Sequence, residues 1–138
     1  MPKLDRIHQA VKNALIKEGW IISADPYKIE YKDLTLYADL AADRPLAAER
    51  GDEKIVVEVK SFLGPSQVQD LKLAVGQYIM YRSFLRITAP ERRLYMAVSS
   101  DVYEEFFKRE SIQLIVHENQ VTLFSVNILQ EEVVVWTR

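Results

Sequence analysis

Residues 55–61, IVVEVKS, constrain this chain more than any other segment. β-Branched residues dominate the run, so it reads as a strand. Side chains alternate along a strand. Ile55, Val57 and Val59 therefore share one face, and Val56, Glu58 and Lys60 share the other. The first face is apolar throughout, while the second turns polar at Glu58. A strand this apolar belongs between two layers. A Glu and a Lys pointing into one of those layers must be paired or must bind something. Glu58 and Lys60 are thus the first candidates for chemistry.

The rest of the pattern fits an α/β architecture. Leu4, Ile7, Val11, Ala14 and Leu15 recur at helical spacing over residues 3–18, and Gly19 stops that helix. Short strands are expected over 20–23 and 28–31, with a turn at Asp25-Pro26 between them. Residues 34–40 alternate Leu34, Leu36, Ala38 and Leu40 against Thr35, Tyr37 and Asp39, which predicts one continuous strand. Residues 41–54 are polar and charged and read as a loop. Gly64-Pro65-Ser66 breaks the chain, and Ser66 with Gln69 fits a capping box. The helix it opens runs to about Arg86, with Leu71, Val75, Tyr78, Arg82 and Leu85 on one stripe. A strand over 94–99, a short helix over 101–108 and strands over 112–116, 121–126 and 133–136 complete the reading. The order is α-β-β-β-α-β-α-β-β-β, which implies a layered α/β or α+β fold on a mixed sheet.

Composition removes several classes. At 138 residues, with no repeat and no Gly/Ser linker, residues 1–138 read as a single domain. There are no cysteines, so disulfides, thiolate metal sites and Cys nucleophiles are excluded. The two histidines, His8 and His117, cannot build a three-His zinc site. No Gly-x-Ser-x-Gly elbow and no phosphate-binding Gly-Lys loop is present. No apolar run approaches the roughly 18 residues needed to span a bilayer, and the N-terminus lacks a signal-peptide core. A cytoplasmic protein with no membrane partner is expected. The net charge of −2 argues against non-specific nucleic-acid affinity. It leaves room for a site where a bound metal ion supplies positive charge.

Asp39 ends the strand before Glu58, nineteen positions earlier. If the two strands are neighbours, these carboxylates approach each other and repel unless a cation lies between them. Mg²⁺ or Mn²⁺ takes such oxygen ligands and keeps several waters. Lys60, on the face of Glu58, would orient an attacking water or stabilise charge on a phosphate. This Asp…Glu-Val-Lys pattern resembles the PD-(D/E)xK nuclease motif. The resemblance implies a restriction-endonuclease-like core, α-β-β-β-α-β, here with a mixed central sheet and extra C-terminal strands. Gln77 and Tyr81 lie at i, i+4 on one helical face, with Asp70 two turns earlier. They are similar to the Gln-x-x-x-Tyr pair beside the metal site of RecB-type nucleases.

A closer resemblance covers most of the chain. Residues 7–20 (IHQAVKNALIKEGW), 36–40 (LYADL), 58–62 (EVKSF), 74–78 (AVGQY) and 94–98 (LYMAV) resemble the XisH family, the fdxN-element excision controlling factors. The resemblance implies a factor in programmed DNA-element excision. Its implied partners are DNA, an XisI-like protein and a separate site-specific recombinase. Two readings follow. One is a metal-dependent endodeoxyribonuclease with Asp39, Glu58, Lys60, Gln77 and Tyr81 at its site. The other is a non-catalytic accessory factor, binding DNA or protein, on a nuclease scaffold.

The acidic first-helix residue of many such nucleases has no clear counterpart, because Glu18 lies at the far end of the helix. His8 is better placed to ligate metal, though Mg²⁺ prefers oxygen. Asp43 and Glu49 lie in the loop between the acidic strands. Arg82, Arg86, Arg92 and Arg93 form a basic cluster able to track a phosphate backbone. The apolar residues 133–136, VVVW, are too hydrophobic for a bare edge. With residues 121–129 they predict a homodimer that covers them.

Overall fold

The computed structural model describes residues 3–45 and 51–137. Helix α1 (Lys3–Lys17) is followed by β1 (Ile21–Ala24), β2 (Tyr27–Tyr31), β3 (Leu34–Ala38), β4 (Leu40–Pro45) and β5 (Asp52–Val59). Next come α2 (Gln67–Thr88), β6 (Arg93–Ser99) and α3 (Ser100–Val102), which continues as a π-helical turn over Tyr103–Phe107. Helix α4 (Glu110–Glu118), β7 (Leu123–Asn127) and β8 (Glu132–Trp136) close the chain. A six-stranded sheet runs β1-β4-β5-β6-β7-β8, and β2-β3 form a separate hairpin. The β5-β6 and β6-β7 pairs are parallel and the other pairs antiparallel, so the central sheet is mixed.

Two apolar cores sandwich this sheet. On one face α1 buries Ile7, Val11, Ala14 and Leu15 against Ile55 and Val57 of β5, Tyr95 of β6 and Phe124 of β7. On the other, α2 and α4 bury Leu71, Tyr78, Leu85, Ile112 and Val116 against Val56, Leu94 and Met96. Strand β5 therefore alternates between the cores as expected, and Glu58 faces the α2 side. Gly19, at φ +91, ends α1 in the left-handed region that glycine enters without steric cost. Ser66 caps α2, its hydroxyl accepting from the Gln69 amide at 3.2 Å.

Three local expectations are corrected. Residues 34–40 are not one strand. The chain leaves the β2-β3 hairpin at Ala38 and joins the large sheet at Leu40, so Ala38 and Leu40 enter opposite cores. Polarity hid the strands in 41–54, because Asp43 and Arg44 on β4 pair with Lys54 and Glu53 on β5. Arg44 and Glu53 also form an ion pair at 2.7 Å. Residues 112–116 are helical. Ile112 and Val116 are buried while Leu114 is exposed, a period of four that β-prone residue types disguised.

One face of the apolar tail is partly covered within its own chain. Trp136 packs on Phe124 and Tyr95, with ring centroids at 4.4 and 5.0 Å, and against Trp20 at 5.9 Å. Its indole N–H donates to Glu18 at 3.0 Å. Helix α1 and Glu18 just beyond its C-terminus thus supply part of the cover for which a second subunit is expected, while β8 stays an edge strand with Val134 exposed.

Candidate functional site

The change of sheet at Asp39 builds the site. Leu40 pairs with Val57, which sets Asp39 opposite Glu58 at the end of the β4-β5 ladder. Each carboxylate is held by the backbone of the other strand. The Asp39 amide donates to Glu58 Oε1 at 3.1 Å, and the Val59 amide donates to Asp39 Oδ2 at 2.6 Å. Lys60 follows β5, its own amide donating to Ala97 of β6 at 2.9 Å. Its ammonium lies 3.1 Å from Glu58 Oε2 and also donates to the side-chain carbonyl of Gln77. Tyr81, one turn along α2, donates to the Tyr37 carbonyl at 3.1 Å. Helix α2 therefore presents Gln77 and Tyr81 to the two acidic strand ends. Tyr81 is also one of the buried residues of the helix, so the functional face and the packing face overlap there.

Electrostatics follows from this enclosure. Glu58 is 7% exposed. Burial, and then the neighbouring Asp39 charge, push its carboxyl from 4.5 up to about 7, against the opposing pull of Lys60. Burial, with the Glu58 and Asp39 charges, pushes the Tyr81 hydroxyl up to about 12. Tyr81 therefore stays a proton donor in its hydrogen bond.

The remaining candidates divide. Asp70 turns away from the cluster to accept from the Gly64 amide at 3.0 Å. A Cβ at Gly64 would meet that carboxylate at 2.6 Å, so any larger residue would displace the Asp70 side chain. His8 bonds Asp25 at 3.2 Å, and Lys12 bonds the same carboxylate at 2.7 Å. Burial alone would raise the Asp25 carboxyl, but Lys12 and His8 hold it below its usual value. Asp43 is paired with Arg92 at 2.9 Å. Glu49 lies outside the described residues. Sequence reasoning missed the Tyr37 carbonyl as the anchor of Tyr81, since backbone acceptors leave no residue-type signal.

The donor set fits a hard cation. Asp39 and Glu58 bring two carboxylates together, and no cluster of three or more metal-ligating side chains exists among the described residues. That suits Mg²⁺, which is commonly held by one or two carboxylates with waters and substrate phosphates completing its shell. It does not suit a closed structural zinc site.

The molecule is thus a mixed α/β protein with a carboxylate pair and a lysine at the end of its central strand. The chain belongs to the XisH family, which it matches over residues 1–134. An XisH family protein from Nostoc punctiforme PCC 73102 is 41% identical, with a TM-score of 0.88 over 97% of this chain and 100% of its own. A fdxN element excision controlling factor protein from Anabaena variabilis is 39% identical, with a TM-score of 0.88 over 97% of this chain and 99% of its own. A search of curated proteins finds no match. No helix among the described residues is long and apolar enough to cross a membrane.

Proposed function

We propose that this protein acts in programmed DNA-element excision as a restriction-endonuclease-like domain of the PD-(D/E)xK type, hydrolysing phosphodiester bonds. The observation that carries the reading is the reciprocal clamp of Asp39 and Glu58 with the Lys60 ammonium beside it. Asp39 and Glu58 would hold a Mg²⁺ or Mn²⁺ ion. Such an ion would lower the pKa of a bound water, making hydroxide available as the nucleophile, and would neutralise charge on the phosphate. Lys60 stabilises the charge that develops on the phosphoryl oxygens. Gln77 fixes the lysine side chain from α2. Tyr81 ties the hairpin to α2 beneath the site. The working partners in this reading are DNA, an XisI-like protein and the recombinase that carries out excision.

A second reading, an accessory factor without turnover, draws on the description of the Anabaena relative as a controlling factor and on the convergence of only two acids among the described residues. One experiment separates the two. Branched, single-stranded and duplex DNA are incubated with the protein in Mg²⁺ or Mn²⁺, with and without the XisI-like partner. Metal-dependent cleavage that Asp39→Asn and Lys60→Met each abolish is expected. No cleavage of any substrate, or cleavage indifferent to both substitutions, refutes the nuclease.

A further inference from the structure

On the α2–α4 face of the sheet lies a cavity of about 720 Å³, separate from the Asp39–Glu58 cluster. Its lining includes Arg82 and Arg86 of α2, Arg92 just before β6, Arg93 at its start, and His117 of α4, with Glu91 the one acidic residue of the lining. The chain as a whole carries a net charge of −2, so this is a local concentration against the overall sign. Its floor is fixed. The Tyr78 hydroxyl donates to the Leu94 carbonyl at 3.0 Å and accepts from the Thr122 amide at 3.0 Å. Arg82 lies over the Tyr78 ring, 5.3 Å from its centroid, and donates to the Asn119 and Gln120 carbonyls at 2.7 and 3.0 Å. Arg92 is spent on Asp43 and the Ile55 carbonyl. Arg86 and Arg93 are exposed and have no carboxylate partner among the described residues, although Arg93 does lie over the Tyr95 ring. Unpaired guanidinium groups at the mouth of a cavity are suited to phosphate.

We propose that this cavity holds a backbone phosphate of DNA. The inference rests on the reading of this protein as one that acts on DNA. Charge complementarity selects the ligand: Arg86 and Arg93, exposed and without a carboxylate partner among the described residues, line one opening together with Arg82 and Arg92, an arrangement suited to a polyanionic strand. In this arrangement Arg86 and Arg93 contact phosphate oxygens, which position the strand without reading its sequence.

The test is fluorescence anisotropy of labelled duplex and single-stranded DNA with the full chain in EDTA, over a series of KCl concentrations. Binding by the wild type is expected. Arg86→Ala should weaken it about tenfold and flatten the plot of log affinity against log salt by about 0.7–0.9, the share of one phosphate. Arg86→Glu should weaken it further, and Lys72→Ala, elsewhere on α2, should bind as the wild type does. Far-ultraviolet circular dichroism confirms that each variant folds. The proposal is overturned if the wild type does not bind DNA, or if Arg86→Glu binds with unchanged affinity and slope. It is also overturned if inorganic phosphate or a mononucleotide binds at Arg86 while DNA does not. Arg86-dependent binding without cleavage in Mg²⁺ supports the phosphate site and refutes the nuclease, so the two failures are distinct.

Discussion

Raising the pH should weaken the fold through Glu58 in metal-free buffer. The carboxyl titrates at about 7 in the folded chain against 4.5 ordinarily, so the folded state holds the proton more tightly than the unfolded state. Stability from this group is complete below about pH 4.5 and is lost as pH rises through about 7. Moving the carboxyl from 4.5 to about 7 corresponds to about 3 kcal/mol in full. In a chain of this size that is about 10 °C in melting temperature. The measurement is thermal unfolding of the wild type and Glu58→Gln from pH 5 to 8 in EDTA. Groups remote from Glu58 titrate alike in both proteins and cancel in the difference. The wild type should lose about 2–3 kcal/mol relative to Glu58→Gln across that range. Saturating Mn²⁺ should reverse the trend at pH 8, because an ion binding only the folded, ionised pair stabilises it by about 2.7 kcal/mol at a hundred times its dissociation constant. A difference that stays flat from pH 5 to 8 would refute the account of Glu58 as a buried, proton-retaining carboxylate.

Three further outcomes are expected. Tyr81→Phe removes the bond to the Tyr37 carbonyl and should cost about 1 kcal/mol in urea unfolding. Ser125 is fully buried and its hydroxyl has no partner among the described residues, so Ser125→Ala should stabilise the protein by about 1 kcal/mol in the same assay. Phe107, 0% exposed and edge-on to Phe62 and Phe106, should cost about 3–5 kcal/mol as Phe107→Ala, and a cost under 1 kcal/mol would contradict its place in the core.

Much of this site was legible because its residue types conflict with their surroundings. Glu58 and Lys60 interrupt an apolar strand, and Gln77 and Tyr81 repeat at helical spacing, so each advertises itself. The strand over 94–99 and the capped helix beginning at Ser66 follow from equally local signals. The change of sheet at Asp39 was not legible. Alternation continues through Leu36, Ala38 and Leu40, and only tertiary pairing sends Ala38 and Leu40 to opposite cores. Helix α4 was hidden because the β-prone Ile112, Ile115 and Val116 outweighed the helical spacing of Ile112 and Val116. The role of α1 in covering Trp136 depends on a contact across 118 positions, Glu18 to Trp136, that no local pattern encodes.

The clamp between Asp39 and Glu58 shapes what natural variation in this family can reveal. Each carboxylate occupies a backbone amide of the opposite strand, so losing either one orphans a donor and loosens the ladder whether or not DNA is ever cut. Selection for folding alone would keep an acceptor at both positions, which an amide supplies as well as an acid, whereas a metal site under the nuclease reading needs the carboxylates themselves. The side chains of Lys60 and Gln77 hold no backbone group and answer only to each other and to Glu58. Under the nuclease reading, loss of the acids to amides, or drift at Lys60 and Gln77, would mark a relative that holds the fold without the chemistry.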